Sequence, residues 1–229
     1  MRIEPEIGGV AIVLVGNLNP AILTPAWFAR QGILSAEQAD AAEVQIIHPQ
    51  IAHFKMDWLV IRVEPERFAA DTTEAPYSRL LDLVVRTFKE FLPHTPVGRL
   101  GINRTIHFSV GNEENRDRIA RMLAPREPWG EWGPHIDEGE GEKHGGLLSL
   151  TMLQRQLDDR YRGHIQAKIE PSVRLPGRAG IFMEINDHFE IENPNDATGC
   201  EEIIDLLQSR FDDSLRRSEW IIDQIMRLR

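Results

Sequence analysis

The pattern of hydrophobic and polar positions divides the chain into short strands and amphipathic helices. Residues Ile7 to Leu18 are rich in Val, Ile and Leu, which predicts a first strand buried on both faces. From Tyr77 to Leu92 the apolar residues recur on one helical face, and Pro93 follows them. The last stretch, up to Arg229, carries a similar apolar stripe, so we expect a long C-terminal helix.

Two capping patterns predict short helices after the first strand. Thr24 precedes Pro25, an order typical of an N-cap followed by proline at the first helical position. Ser35 stands three residues before Gln38, which is the spacing of a capping box. We therefore expect one short helix through Arg30 and a second that ends near Ala42.

Most of the remaining segments have the alternation of apolar and polar residues that is typical of strands. A helix is expected over 112–123, and strands are expected over 44–48, 53–63, 68–72, 97–110, 147–157, 161–175 and 180–192. Runs of strands interrupted by a few helices indicate an α+β fold. We expect a mostly antiparallel, curved sheet that is covered on one face by helices and ends in the long C-terminal helix.

The length of 229 residues suits a single domain, 1–229, or two packed halves, 1–125 and 146–229. The halves would be joined by residues 126–145, which are rich in glycine and acidic side chains. We expect this stretch to be a long loop that exposes Trp129 and Trp132. Exposed tryptophans are common anchors of protein interfaces, although both could also pack over the edge of the core.

Two strands each carry one charge on an otherwise apolar face. Over 181–191 the odd positions are apolar except Asp187, and over 102–108 the even positions are apolar except Arg104. A lone buried charge costs several kcal/mol, whereas a paired one is tolerated. We hypothesise that Arg104 and Asp187 meet as a buried ion pair or at the polar end of a ligand pocket. The alternative places each charge in water at a strand edge or bulge.

The same alternation argues against a metal or acid–base site near Asp187. His188, Glu190 and Glu192 lie on the opposite face of the predicted strand, so they cannot act with Asp187 on one bound atom. The acidic run from His135 to His144 matches no calcium-loop spacing. We therefore predict no metal ion and no cofactor.

Motifs of nucleophilic catalysis and phosphate binding are missing from the sequence. It contains no G-x-S-x-G, Walker loop or G-x-G-x-x-G. Cys200 opens the last helix, where the pKa of a thiol can be lowered, but a small residue at a helix start is the simpler interpretation. The sequence thus favours a non-enzyme and names no catalytic residue.

The charge and the cysteine content narrow the choice of partner and compartment. A net charge of −10 argues against direct binding to nucleic acid or to an anionic membrane surface. A single cysteine excludes an intrachain disulfide and favours the cytoplasm. The N-terminus lacks a signal-peptide pattern, and no apolar run is long enough for a membrane span.

The segment from Thr95 to Phe108, TPVGRLGINRTIHF, resembles a motif of a sporadically distributed, uncharacterised bacterial family of similar length. The order of elements is similar over much of the chain, but the tryptophan-containing acidic loop has no counterpart in the family. The resemblance implies a bacterial origin and an α+β fold, and it implies no activity.

These features favour a non-catalytic binding or assembly protein, with a protein partner, that acts as a homo-oligomer or as a subunit of a bacterial complex. Within that class, a role in a defence or toxin-related system is plausible. One alternative is a small-ligand-binding protein or enzyme with its pocket in the curved sheet. Another is an acidic mimic that inhibits a nucleic-acid-binding protein.

Overall fold

The computed structural model describes residues 4–139, 144–157 and 161–229. The strands in this part of the chain are β1 (Ile7–Gly16), β2 (Glu43–His48), β3 (Ile51–Met56), β4 (Leu59–Glu64), β5 (Arg67–Thr72), β6 (Val97–Ser109), β7 (Leu150–Leu157), β8 (Arg162–Pro171) and β9 (Gly180–Glu190). They form one open antiparallel sheet in the order β2-β3-β4-β5-β1-β6-β9-β8-β7.

The helices are α1 (Pro25–Arg30), α2 (Ala36–Asp40), α3 (Ser78–Val85), α4 (Glu113–Leu123) and α5 (Glu201–Met226). A π-helical turn, Arg86–Phe91, continues α3, and 3-10 segments cover Glu127–Asp137 and Pro176–Arg178. The predicted α+β fold with an antiparallel sheet and a long C-terminal helix is confirmed. Of the described helices, none has both the length and the apolar character required to cross a membrane.

The predicted helix caps form as their sequence patterns indicate. Thr24 Oγ1 accepts the backbone N–H of Trp27 at 3.2 Å. Ser35 and Gln38 complete a capping box, with distances of 3.1 and 3.0 Å for the two hydrogen bonds. These contacts satisfy backbone donors that the first turn of a helix leaves without intrahelical partners.

The two faces of the sheet differ in what covers them. On β6 the even-numbered residues are buried beneath α5, and the contact of Arg104 with that helix marks this side, which we call the helix face. The odd-numbered residues lie on the other side, which we call the open face; they include Arg99, Asn103 and Thr105. The faces follow from the two-residue period of strands.

The core on the helix face consists of two hydrophobic clusters. The first packs β1, β3, β4 and β5 against α1, α3 and the first half of α5, as far as Phe211. The second packs the ends of β6, β8 and β9 against α4 and the last part of α5, from Ile222. Between them α5 turns two buried serines, Ser214 and Ser218, toward the sheet.

One predicted strand is wrong in its extent. Residues 53–63 were expected to form a single strand, but the chain turns at Asp57 and Trp58, so that β3 and β4 pair as a hairpin. The turn contains Asp57 but no Gly, Pro or Asn, so its signal in the sequence is weak. The hydroxyl of Thr72 donates to the carbonyl oxygen of Trp58 and ties the turn to the end of β5.

The predicted loop over 126–145 is wrong for Glu127–Asp137, which forms 3-10 turns with a kink at Gly130. Glu140 and Glu142 of that predicted loop lie outside the described residues. Strands of both predicted halves pair in the same sheet, since β6 runs beside β9. The choice between one domain and two packed halves stays a prediction.

Candidate functional site

The two interior charges lie on neighbouring strands of the helix face. Arg104 on β6 stands opposite Ile185, and Asp187 on β9 stands opposite Ile102, so the two charged residues are diagonal neighbours. Diagonal positions are about 7–8 Å apart, within the reach of long side chains. Both residues are buried, with 5% and 1% exposure. Their direct ion pair stays a prediction.

Arg104 anchors α5 to two strands. Its Nε donates to Glu219 Oε1 on α5 at 2.6 Å, and its Nη1 donates to the carbonyl oxygens of Thr105 at 2.8 Å and Gly9 at 3.1 Å. A Cβ at Gly8 would lie 2.8 Å from Nη1, so a side chain at this position would displace the guanidinium. The protein therefore surrounds the Arg104 guanidinium with acceptors of its own.

Asp187 faces α5 in the same way. Its Oδ2 lies 3.7 Å from Arg217 Nη1, two positions before Glu219 on the helix. Arg104, Asp187, Arg217 and Glu219 thus form a charge layer between the two hydrophobic clusters. The sequence reasoning missed Arg217 and Glu219. Their signal was the interruption of the apolar stripe of α5 by Ser214 and Ser218.

Asp187 and the polar side chains beside it do not converge. Asp187 lies on the helix face, whereas His188 lies on the open face, where its ring stacks on His164 at a centroid distance of 4.7 Å. Burial lowers the pKa of His188, and the nearby His164 lowers it further. Across the described residues, no three His, Cys, Asp or Glu side chains are placed to hold a metal ion.

A serine–histidine contact that the sequence did not indicate lies at the end of β8. Ser172 Oγ is 2.8 Å from His107 Nδ1 and accepts the backbone N–H of Arg174 at 3.2 Å. Burial lowers the pKa of His107, with a smaller contribution from Arg174 in the same direction. The His107 ring packs against the ring of Phe182 at a tilt, with the centroids 4.8 Å apart. These contacts fix the turn after β8 against the open face.

Trp129 and Trp132 are both exposed, and their rings meet edge to face at a centroid distance of 5.4 Å. Asp137 holds their segment against α4 through Arg126 at 2.8 Å and Arg121 at 2.9 Å. The hydrogen bond from Arg126 is the main reason that the pKa of Asp137 falls to about 2. The aromatic pair is thus placed on an anchored surface, and its role in an interface stays a prediction.

Cys200 is buried at the start of α5. Its Sγ lies 3.5 Å from the carbonyl oxygens of Phe88, Leu92 and Pro93. Burial raises the pKa of the thiol to about 11, so the helix N-terminus does not produce a thiolate here.

We predict that native Cys200 reacts with iodoacetamide at pH 8 about a hundredfold more slowly than in urea, because the thiolate is the reactive form and burial suppresses it. The measurement is the alkylated fraction against time by intact-protein mass spectrometry. Equal rates in the two conditions would contradict this prediction.

The edge strand β2 exposes apolar side chains on both faces of the sheet. In the described part of the chain β2 pairs only with β3, and all six of its residues are exposed. Val44, Ile46 and Ile47 have exposures of 52%, 43% and 42%. An edge of this kind also presents unpaired backbone N–H and C=O groups. The sequence predicted a strand here but not its place at the edge.

A bulge sets the direction of the β2 side chains. Val44 stands opposite Phe54 and Ile46 opposite His53, so Gln45 is an additional residue. Without it, Val44 and Ile47 would point to opposite faces, because side chains alternate along a strand. With it, both residues stand on the helix face.

The sequence matches no protein-family model and no curated protein. The resemblance of residues 95–108 to a bacterial family therefore stays an expectation, and the geometry alone supports the proposals that follow.

Proposed function

We propose that the protein is a non-catalytic assembly protein whose chains form a two-fold homodimer by pairing their β2 edges. The observation that carries the proposal is the edge itself: six exposed residues, three of them Val or Ile. Natural edge strands are commonly blunted by charged residues such as lysine, by proline, by a bulge or by a covering element. β2 contains a bulge and Glu43 but no lysine or proline, and its exposed Val and Ile side chains suit it to β-strand addition.

The sequence of β2 is complementary to itself in antiparallel pairing. When Val44 faces Ile47 of the second copy, both apolar side chains lie on the helix face, where the bulge has placed them. Glu43 then faces His48 of the second copy on the open face. His48 Nδ1 accepts the backbone N–H of Gln50 at 3.2 Å, so in the neutral ring Nε2 carries the proton and can donate to that carboxylate.

This pairing satisfies the backbone groups of both edges and extends the sheet through the two copies. Because each copy offers the same strand, the contact is isologous and closes as a dimer. The area buried between two six-residue strands is small, so we expect an affinity in the micromolar range. Membership of a larger bacterial complex, including a defence or toxin-related one, belongs to the same proposal and would use other surfaces.

Sedimentation equilibrium of the whole chain, from about 1 to 200 µM, tests the proposal. The expected result is a reversible shift from the monomer mass of 26.2 kDa toward twice that value. A strict monomer over the whole range would overturn the proposal. Open-ended growth beyond the dimer would overturn the closed two-fold arrangement.

A further inference from the structure

A cavity of about 490 Å³ lies beneath α4, between that helix and the ends of β8 and β9. Its volume is within the range typical of small-molecule sites, which is about 300–1,000 Å³. The cavity lies toward the β7 side of the sheet, away from the β2 edge, so it is independent of the proposed dimer contact.

The walls of the cavity are mainly aliphatic. Ile119 is the only buried residue of α4, so this helix contributes a single fully buried side chain to the core beside the cavity. Ile169 and Ile181 of the second hydrophobic cluster also line the space. Leu123 and Leu147 complete an apolar lining. Such walls favour a hydrocarbon chain over a polar ligand.

One arginine at the rim is held in an unusual backbone conformation. Arg178 has φ of +54° and directly follows Gly177 with φ of +71°. The left-handed region is uncommon for a residue with a Cβ, and such residues cluster at functional sites. Arg116 Nη1 donates to the carbonyl oxygen of Arg178 at 2.9 Å and supports this conformation.

The guanidinium of Arg178 is available at the rim. Its side chain is 38% exposed, and one donor lies 3.3 Å from Glu113 Oε1, an atom that Arg116 also contacts at 3.1 Å. A guanidinium has five N–H donors, so Arg178 retains several for a ligand. Arg116 forms salt bridges with Glu113 and with Asp117, and the second of these has a distance of 2.8 Å.

His144, at the rim of the cavity, is held by two partners within the protein. Its Nε2 lies 2.7 Å from Asp117 Oδ2, and its Nδ1 lies 3.2 Å from the carbonyl oxygen of Gly139. Glu170 also lines the cavity, but it pairs with Lys168 at 2.8 Å, and that pair adds no net charge.

We propose that this cavity binds an aliphatic carboxylate, with its chain between α4 and the strand ends and its carboxylate on Arg178. The aliphatic walls select the chain, and the exposed guanidinium selects an anionic head group over a neutral or cationic one. This site supports the ligand-binding alternative at a place other than Arg104 and Asp187.

Isothermal titration calorimetry with decanoate, decanol and decylamine tests the proposal on the whole protein. We expect decanoate to bind about tenfold more tightly than decanol, and decylamine to bind more weakly than both. Arg178→Gln should weaken decanoate about tenfold and leave decanol unchanged. Arg118→Gln, on α4 and outside the lining, is the matched control and should bind decanoate like the wild type.

Ala120→Phe tests the position of the chain, because Ala120 lines the cavity and phenylalanine would fill part of it. We expect this variant to lose binding of decanoate and decanol while keeping a cooperative thermal transition. If Ala120→Phe does not fold, the proposal is decided by the affinities of the three ligands for Arg178→Gln and Arg118→Gln. Absence of decanoate binding to the wild type, equal binding of decylamine, or wild-type binding by Arg178→Gln would each overturn the proposal.

Discussion

Replacing Val44 and Ile47 together by lysine is expected to convert the dimer into a monomer. In the proposed pairing each lysine faces a lysine of the second copy, and like charges directly opposite on a sheet repel. Lysine is also a residue that natural edge strands use against pairing. Two such contacts should weaken dimerisation at least about a hundredfold, as measured by sedimentation equilibrium. The monomer should remain folded, because both positions are exposed.

The opposite edge provides the matched control. Met152 and Leu153 on β7 are also exposed apolar edge residues, so their double replacement by lysine makes the same change elsewhere. We expect this control to dimerise like the wild type. If it dissociates and the β2 variant does not, then the interface lies at β7 and our assignment is wrong.

Mixing tests the register of the pairing. A second chain with glutamate at positions 44 and 47 should be monomeric alone, because its acids would face each other. Mixed with the lysine variant, it should form a heterodimer in which each lysine faces a glutamate. No heterodimer at about 100 µM of each chain would exclude the pairing of Val44 with Ile47 of the second copy.

Replacing Arg104 by methionine should lower the free energy of unfolding by about 3 kcal/mol, because Arg104 is buried and Glu219 loses the cation that it contacts at 2.6 Å. Urea unfolding followed by circular dichroism measures the change. Arg99→Met is the control on the same strand. Arg99 pairs with Glu190 at 3.2 Å on the more exposed face, so its loss should cost less than about 1 kcal/mol. An equal loss of unfolding free energy in the two variants would show that the burial of Arg104 does not make its replacement more destabilising.

Double-mutant cycles separate the partners of Arg104. With Glu219→Gln we expect a coupling energy of about 1–2 kcal/mol, because the two charged groups are in contact at 2.6 Å. With Asp187→Asn the predicted ion pair requires a coupling above about 0.5 kcal/mol. A coupling energy near zero in the second cycle would refute the direct pairing of Arg104 with Asp187. Arg217 would then be the charged partner of Asp187.

Features encoded by neighbouring residues were predictable. The caps at Thr24 and Ser35 form because a side chain reaches a backbone N–H three residues on. The faces of β6 and β9 follow from alternation, which predicted that Arg104 and Asp187 lie on the apolar sides of their strands.

Features with a weak local signal, or with none, were missed. The turn at Asp57 and Trp58 has one common turn former, Asp57, and the buried apolar positions change from even to odd numbers across it. The 3-10 segment Glu127–Asp137 depends on Asp137 reaching Arg121 and Arg126, which composition cannot indicate. Composition indicated a loop because glycine and acids are frequent in loops.

The sequence by itself determined the fold class, the caps and the apolar sides of β6 and β9, since these depend on residues within a few positions of one another. Only the tertiary structure decided that β2 is an edge, that a cavity remains beneath α4, and that Arg104 meets Glu219 across 115 positions. Strand order and helix docking depend on contacts between distant segments, and a local pattern of apolar and polar residues is compatible with many such arrangements.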